Sequence, residues 1–281
     1  MSMVLETLAE HRCFGGVQGF YRHRSSACNG PMNLGVFVPP QAERGRVPVL
    51  YWLSGLGCTE QNFTLKAGAQ CVAAELGLML VVPDTSPRNT SIRGEADDEH
   101  LGVGASLYVD ATRAPWSRHF QMYTYVTEEL PVLIAAHFPA DTQRAGIFGH
   151  SMGGHGALTI ALRNPQRYRS VSALAPIASP MQVDWCARAF AEYLGSDRET
   201  WSPYDACGLL ASGHRFPGEI LVDQGAADPH LSNLKPDSLR AACARAGQAL
   251  NLRRQAGYDH SYFFVASFIA EHLRHHAQAL V

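Results

Sequence analysis

"RAGIFGHSMGGHGALTIALRNP", residues 144–165, is the stretch that decides the fold. An apolar run from Ala145 to Phe148 enters a segment, residues 149–156, that packs four glycines, two histidines and one serine, and a second apolar run with helical spacing follows. Glycine costs backbone entropy, so such a cluster marks a tight turn or a close approach between backbones. The pattern Gly149-x-Ser151-x-Gly153 fits the nucleophile elbow, a strained strand-to-helix turn that presents a serine hydroxyl to a substrate. Chance alone gives this pattern at roughly one position in three thousand. The predicted strand before it and helix after it supply the context that the pattern lacks by itself.

Outward from the elbow the chain alternates. "VPVLYWLSG" (47–55) and "LMLVVPD" (78–84) are continuous apolar runs, as expected of strands buried on both faces. Between them residues 59–77 have helical spacing and read as one helix ending at Gly77. Residues 122–138 read as a helix, 170–176 and 218–225 as strands, 235–247 as a helix, 249–257 as a strand and 261–280 as a closing helix. The first forty residues differ: "CFGGVQGFYRHRS" (13–25) and "PMNLGVFVPP" (31–40) suggest antiparallel strands with a turn at Asn29-Gly30-Pro31. Strands alternating with helices predict a mostly parallel central sheet with helices on both faces and antiparallel N-terminal strands, the α/β-hydrolase fold. No repeat, low-complexity tract or linker interrupts the chain, so residues 1–281 read as one domain.

Composition narrows the function classes. Hydrophobic residues make up 46% and charged residues 17%, which suits a packed core and argues against disorder. The formal charge is −2 with no basic run, so a nucleic acid or an anionic membrane gains nothing from the overall electrostatics. A small-molecule substrate is the better expectation. The N-terminal "MSMVLETLAEHRCFGG" reads as neither signal peptide nor membrane anchor, which makes the cytoplasm the expected compartment. Seven cysteines, odd in number and in no CxxC pair, argue against structural zinc and a disulfide framework. No metal or cofactor is expected.

A serine hydroxyl needs a base, and the base works best when a carboxylate orients it. In the α/β-hydrolase order these follow the serine as acid, then histidine, each after a strand. "ILVDQGAADPHL" (220–231) offers Asp223 and Asp228, and "GYDHSYFF" (257–264) offers His260 between a strand and the last helix. Spacing favours Asp228, which has room to lean towards a histidine, whereas Asp223 suits a loop-holding role through backbone hydrogen bonds. His150 and His155 flank the elbow too closely to reach its serine oxygen. His272, His275 and His276, in the terminal helix, read as solvated. The oxyanion needs preorganised donors: Met152 N–H follows the nucleophile, and the loop "WLSGLGCTEQNF" (52–63) exposes backbone around Leu56.

Five motifs, "SGLGCTEQNF", "PDTSPR", "GHSMGGHGAL", "DQGAADPHL" and "GYDHSYFF", occur in an order and spacing that resemble the S-formylglutathione hydrolase (esterase D) family. The likeness runs from about residue 5 to 275. It implies a serine thioesterase that hydrolyses S-formylglutathione to glutathione and formate in formaldehyde detoxification, with side activity on short-chain esters. It makes Ser151 the nucleophile, Asp228 the acid and His260 the base, and puts the oxyanion donors at Leu56 and Met152. It also matches Cys58 to a cysteine near the active site and Trp185 to a tryptophan near the acyl pocket, and implies a homodimer. A general short-chain carboxylesterase without glutathione preference is the alternative.

Four positions depart from the family pattern. Gly57 stands where threonine is usual, giving the oxyanion loop more freedom; Ala178 and Ser179 replace a cysteine and an asparagine; His230 replaces an aromatic residue; Asn89 replaces a glycine. Lys66 and Arg88 are the basic residues in candidate rim loops.

Overall fold

Nine strands lie in one sheet among residues 4–281, which the computed structural model describes. They are β1 (Leu5–Cys13), β2 (Gly16–Ser25), β3 (Gly30–Val38), β4 (Val47–Leu53), β5 (Met79–Pro83), β6 (Ala140–His150), β7 (Ser170–Leu174), β8 (Ile220–Gly225) and β9 (Leu250–Gln255). Residues 1–3, the start of the N-terminal segment read above, lie outside the described residues. The spatial order is β1-β2-β3-β5-β4-β6-β7-β8-β9. β1, β2, β3 and β5 pair antiparallel in succession, and every pairing from β5 through β4 to β9 is parallel. The mostly parallel sheet with antiparallel N-terminal strands is therefore present.

The continuous apolar runs are the strands covered on both faces. All seven residues of β4 and all five of β5 are buried. Trp52 of β4 stacks on Phe63 with ring centroids 3.9 Å apart, and meets Phe148 of β6 edge-on at 4.8 Å. Helices cover the sheet: α1 (Glu60–Lys66), α2 (Ala69–Leu76), α3 (Met122–Thr124), α4 (Leu130–His137), α5 (Met152–Arg163), α6 (Asp184–Leu194), α7 (Ala206–Ala211), α8 (Leu231–Leu234), α9 (Pro236–Ala246) and α10 (Tyr262–Leu280). α10 packs on α2 and on β6, β7 and β8, while α5 packs on α7 and on β4, β6 and β7.

Three differences from the sequence reading have local causes. The single helix predicted over 59–77 is two helices, broken at Gly68, whose φ of 66° is left-handed. The helix over 122–138 carries a π turn at Tyr125–Glu129 between α3 and α4. Pro131, with no N–H to donate, follows that turn. β1, unassigned in the sequence reading, is an edge strand whose residues are exposed or half-buried, so it has no apolar face to announce it.

The strand order positions the site. β4 has β5 on one side and β6 on the other, so the connections after β4 and β6 diverge and leave a crevice beyond their carboxyl ends. Into it come the loop after β4, the turn after β6 and, two and three strands further on, the loops after β8 and β9.

Candidate active site

β6 ends at His150, and Ser151 turns with φ 56° and ψ −120° before α5 begins at Met152. A non-glycine residue held there costs about 1–3 kcal/mol and persists only where its surroundings over-determine it. They do: Ser151 N–H donates to Leu174 O at 3.0 Å, and Ser151 C=O accepts from His155 N–H at 3.0 Å. Gly153 makes the close approach that the turn requires, because a Cβ there would fall inside the carbonyl group of Leu53. Gly154 and Gly156 leave little room beside α5 either: a Cβ on Gly154 would meet Pro176 and the carbonyl of Gly149 in β6, and one on Gly156 the ring of Tyr108 and the Leu53 side chain of β4.

His260 and Asp228 reach the serine from separate loops. Ser151 Oγ lies 2.9 Å from His260 Nε2, and His260 Nδ1 lies 2.6 Å from Asp228 Oδ2. The carboxylate can only accept from Nδ1–H, so Nε2 is left to accept the serine proton. Asp228 also accepts from the His230 amide at 2.8 Å and from Gln224 Nε2 at 3.1 Å. Burial pushes the Asp228 carboxyl up, but the hydrogen bond and charge of His260, with these two donors, outweigh it and hold the group below the usual carboxylate value. Ser151 keeps 9% of its surface open to a cleft of about 560 Å³.

Two backbone donors border the serine. Met152 is the first residue of α5, so its N–H has no intrahelical partner and lies at the positive end of the helix dipole. Leu56 lines the cleft, and a Cβ built on the adjacent Gly55 would stand 3.2 Å from Ser151 Cβ. The loop is tied down rather than loosened at Gly57. Its left-handed φ of 72° suits glycine, its N–H donates to Gly104 O at 2.9 Å, and Cys58 O accepts from Thr85 Oγ1 at 2.5 Å and Arg88 Nη2 at 3.0 Å.

Arg88 is thus turned inward, paired with Asp84 and holding the loop, which corrects its reading as a rim cation. Lys66 stands 5.7 Å from the centre of the Tyr262 ring, on the helix beside the cleft. Cys58 and Trp185 both line the cleft, and Trp185 meets the His100 ring at 4.7 Å. Burial pushes the Cys58 thiol up, so it stays protonated. Ala178 and Ser179 lie behind the wall: Ala178 is fully buried, and Ser179 Oγ donates to Asp205 Oδ2 at 3.0 Å. Asn89 holds a φ of 56°, which explains why this position takes glycine or asparagine.

The remaining histidines divide sharply. His150 is buried against His260 and makes no hydrogen bond to Ser151, and His155 Nε2 faces Leu107 O at 3.1 Å. His272 and His276, predicted to be solvated, are fully buried, because α10 lays that side on β7. Their partners are Asp223, Ser172 and Ser170. The Asp223 carboxylate accordingly binds side chains, namely Arg253, Gln255 and His272, while only its backbone carbonyl holds the segment after β7, accepting from Ala175 N–H at 2.7 Å. Tyr262, His100 and Asn233 line the cleft without having been singled out in sequence; Tyr262 alone carried a signal, two residues after His260. Among the described residues no group of three or more His, Cys, Asp or Glu could hold a metal ion, and no helix is long and apolar enough to cross a membrane.

The model of the Esterase family matches residues 25–275. The chain is 54% identical to the S-formylglutathione hydrolase of Paracoccus denitrificans (strain Pd 1222) over 282 residues, covering all of both chains. This chain belongs to the S-formylglutathione hydrolase family. It is also 52% identical to the family's Mus musculus member over 280 residues, 99% of each chain. The solved structure of the Agrobacterium tumefaciens member superposes with a TM-score of 0.96 at 48% identity, covering 98% of this chain and 100% of that one. The fold is that of the α/β-hydrolases, and the chain is a hydrolase like its relatives.

Proposed function

We propose that Ser151, His260 and Asp228 hydrolyse S-formylglutathione to glutathione and formate. The observation that carries this reading is the hydrogen-bonded chain from Asp228 through His260 to Ser151 at the mouth of the cleft. Family membership supplies the substrate. Ser151 Oγ attacks the formyl carbon while its proton passes to His260 Nε2, and the Leu56 and Met152 amides hold the oxyanion. The carbon–sulfur bond then breaks and glutathione leaves as its thiol, taking the proton from His260. Water repeats the sequence on the formyl-serine ester and releases formate.

Trp185 and Cys58 narrow the cleft on the acyl side in this reading, which favours a formyl group over longer chains. The same reading makes the chain one domain acting in the cytoplasm, consistent with one continuous sheet and seven free cysteines, and working as a homodimer. Size-exclusion chromatography with light scattering checks the dimer. The deciding experiment compares kcat/KM for S-formylglutathione, S-acetylglutathione and an aryl acetate. The proposal requires the formyl thioester to be best, and an aryl-ester advantage would favour the general carboxylesterase.

A further inference from the structure

Three imidazoles that line the cleft stand in contact. His260 lies between His150, whose ring centroid is 4.5 Å away at a tilt of 42°, and His230, which is 5.0 Å away and edge-on at 71°. His150 is 5% exposed, and burial, reinforced by the nearby His260, pushes its protonation well below the usual imidazole range. That neighbour stays neutral. His230 is exposed and lines the cleft, and its own backbone N–H is anchored on Asp228 Oδ1, which sets where the ring hangs.

We propose that His230 is a positioning residue whose charge governs how readily His260 takes the proton of Ser151. The inference rests on the serine, histidine and aspartate roles proposed above. When Ser151 Oγ bonds to the acyl carbon, its proton moves to His260 Nε2 and an imidazolium forms. A cationic His230 sets a second positive charge 5.0 Å from that imidazolium and opposes it. A neutral His230 does not.

The other polar groups around this pair have partners of their own. Asp228 touches both residues, through the His260 ring and the His230 amide. Asp259 turns its carboxylate to the Ser261 amide and hydroxyl. Lys66 lies over the Tyr262 ring, and His100 stands on Trp185 with the Glu99 carboxylate 3.6 Å away. His230 is the neighbour that both meets the His260 ring and opens to water.

A fixed positive charge at position 230 weakens His260 as a base and equally disfavours its protonation in the resting enzyme. It must therefore lower the plateau of kcat/KM and displace the acid limb by the same factor. A structural defect lowers the plateau alone. The test measures kcat/KM for a neutral aryl acetate across about pH 5–9 on the wild type, His230→Gln and His230→Lys. The His230→Lys plateau should lie about 3- to 10-fold below that of His230→Gln, the size that a largely water-screened pair of charges exerts at this distance. Its acid limb should move down by the same factor. The midpoints should rise in the order His230→Lys, His230→Gln, wild type, because only the wild type adds a competing protonation. A plateau loss without displacement, or coincident acid limbs for His230→Gln and the wild type, overturns the proposal. Ser151→Ala run alongside separates the two claims, since undiminished hydrolysis there would break the serine reading itself.

Discussion

Two Asp–His–Ser chains of hydrogen bonds run through this molecule, and their distances hardly differ. Asp228, His260 and Ser151 are linked at 2.6 and 2.9 Å, and Asp223, His272 and Ser172 at 3.0 and 2.8 Å. The second chain continues from Ser172 to His276 at 2.9 Å and on to Ser170 at 2.6 Å. Its direction follows from the carboxylate: Asp223 must accept from His272, so His272 accepts from Ser172, Ser172 from His276, and His276 from Ser170. Every member of this second chain is fully shielded from water, apart from Ser170 at 3% exposure. It has no cleft and no strained turn, and Ser172 sits within a regular strand. Triad distances alone do not make a site. Access, a serine lifted out by its backbone, and unpaired amides beside it do. The buried chain instead ties together β7, β8 and α10, and Asp223 adds β9 through Arg253 and Gln255; the loops that bear Asp228 and His260 leave from β8 and β9.

The sharpest way to separate the two is to delete each hydroxyl. Ser151→Ala should reduce kcat/KM by about 10⁴- to 10⁶-fold, since triad members act as a unit. Ser172→Ala should leave turnover within about tenfold and cost about 1–3 kcal/mol of stability by orphaning buried imidazole nitrogens. Steady-state assays and urea unfolding read both, and a catalytic collapse in Ser172→Ala would erase the contrast.

Next come the carboxylates. Asp228→Asn should cost about 10³- to 10⁴-fold in turnover by upsetting the tautomer of His260. Asp223 is held down to about 2 by His272, Arg253 and Gln255 against the upward push of burial. Asp223→Asn should therefore act on stability, by about 3–5 kcal/mol, because Arg253 and His272 lose their buried partner. Denaturation midpoints measured beside turnover decide this. Gly153→Ala tests the elbow that sets the two chains apart, and a fall of about 3 kcal/mol or more is expected from the clash with Leu53. Unchanged thermal stability there would contradict the close approach.

The smallest effect is on pH dependence. Burial lowers the pKa of His272 and His276 in the folded state. A histidine that stays neutral when folded but charges when unfolded destabilises the fold as pH drops below about 6.5. His155, lowered to about 4 by burial, adds to this loss down to that pH. Asp223 contributes no loss between about pH 6.5 and 5, because it remains ionised in both states there, and begins to add to the loss only below about pH 5. Stability should thus fall on acidification by at most about 1.4 kcal/mol per pH unit for each histidine. The pair His272→Gln, His276→Gln should flatten that slope. An equal slope in the variant would show that these imidazoles charge where they are.

The legible part of the molecule was what repeats locally. Continuous apolar runs identified β4 and β5 because both faces of these strands are covered. Glycine spacing around Ser151 marked the elbow because its turn and its approach to Leu53 tolerate little else. β1 was silent because an exposed edge strand has no buried face. The break between α1 and α2 hid in the single left-handed Gly68 inside an otherwise helical pattern.

Sequence by itself thus determined the strand–helix alternation, the candidate serine and the order of its partners, since each rests on neighbours a few residues apart. Spacing and the family resemblance already favoured Asp228 as the acid, but only the tertiary structure decided what Asp223, five positions earlier, does instead. It points under α10 to His272, while Asp228 points over the cleft to His260. The histidines were sorted the same way: α10 lies on β7, so His272 and His276 became core, and His230 came to rest against His260. Burial and contact between distant segments depend on how the sheet stacks its neighbours, and no local pattern records that.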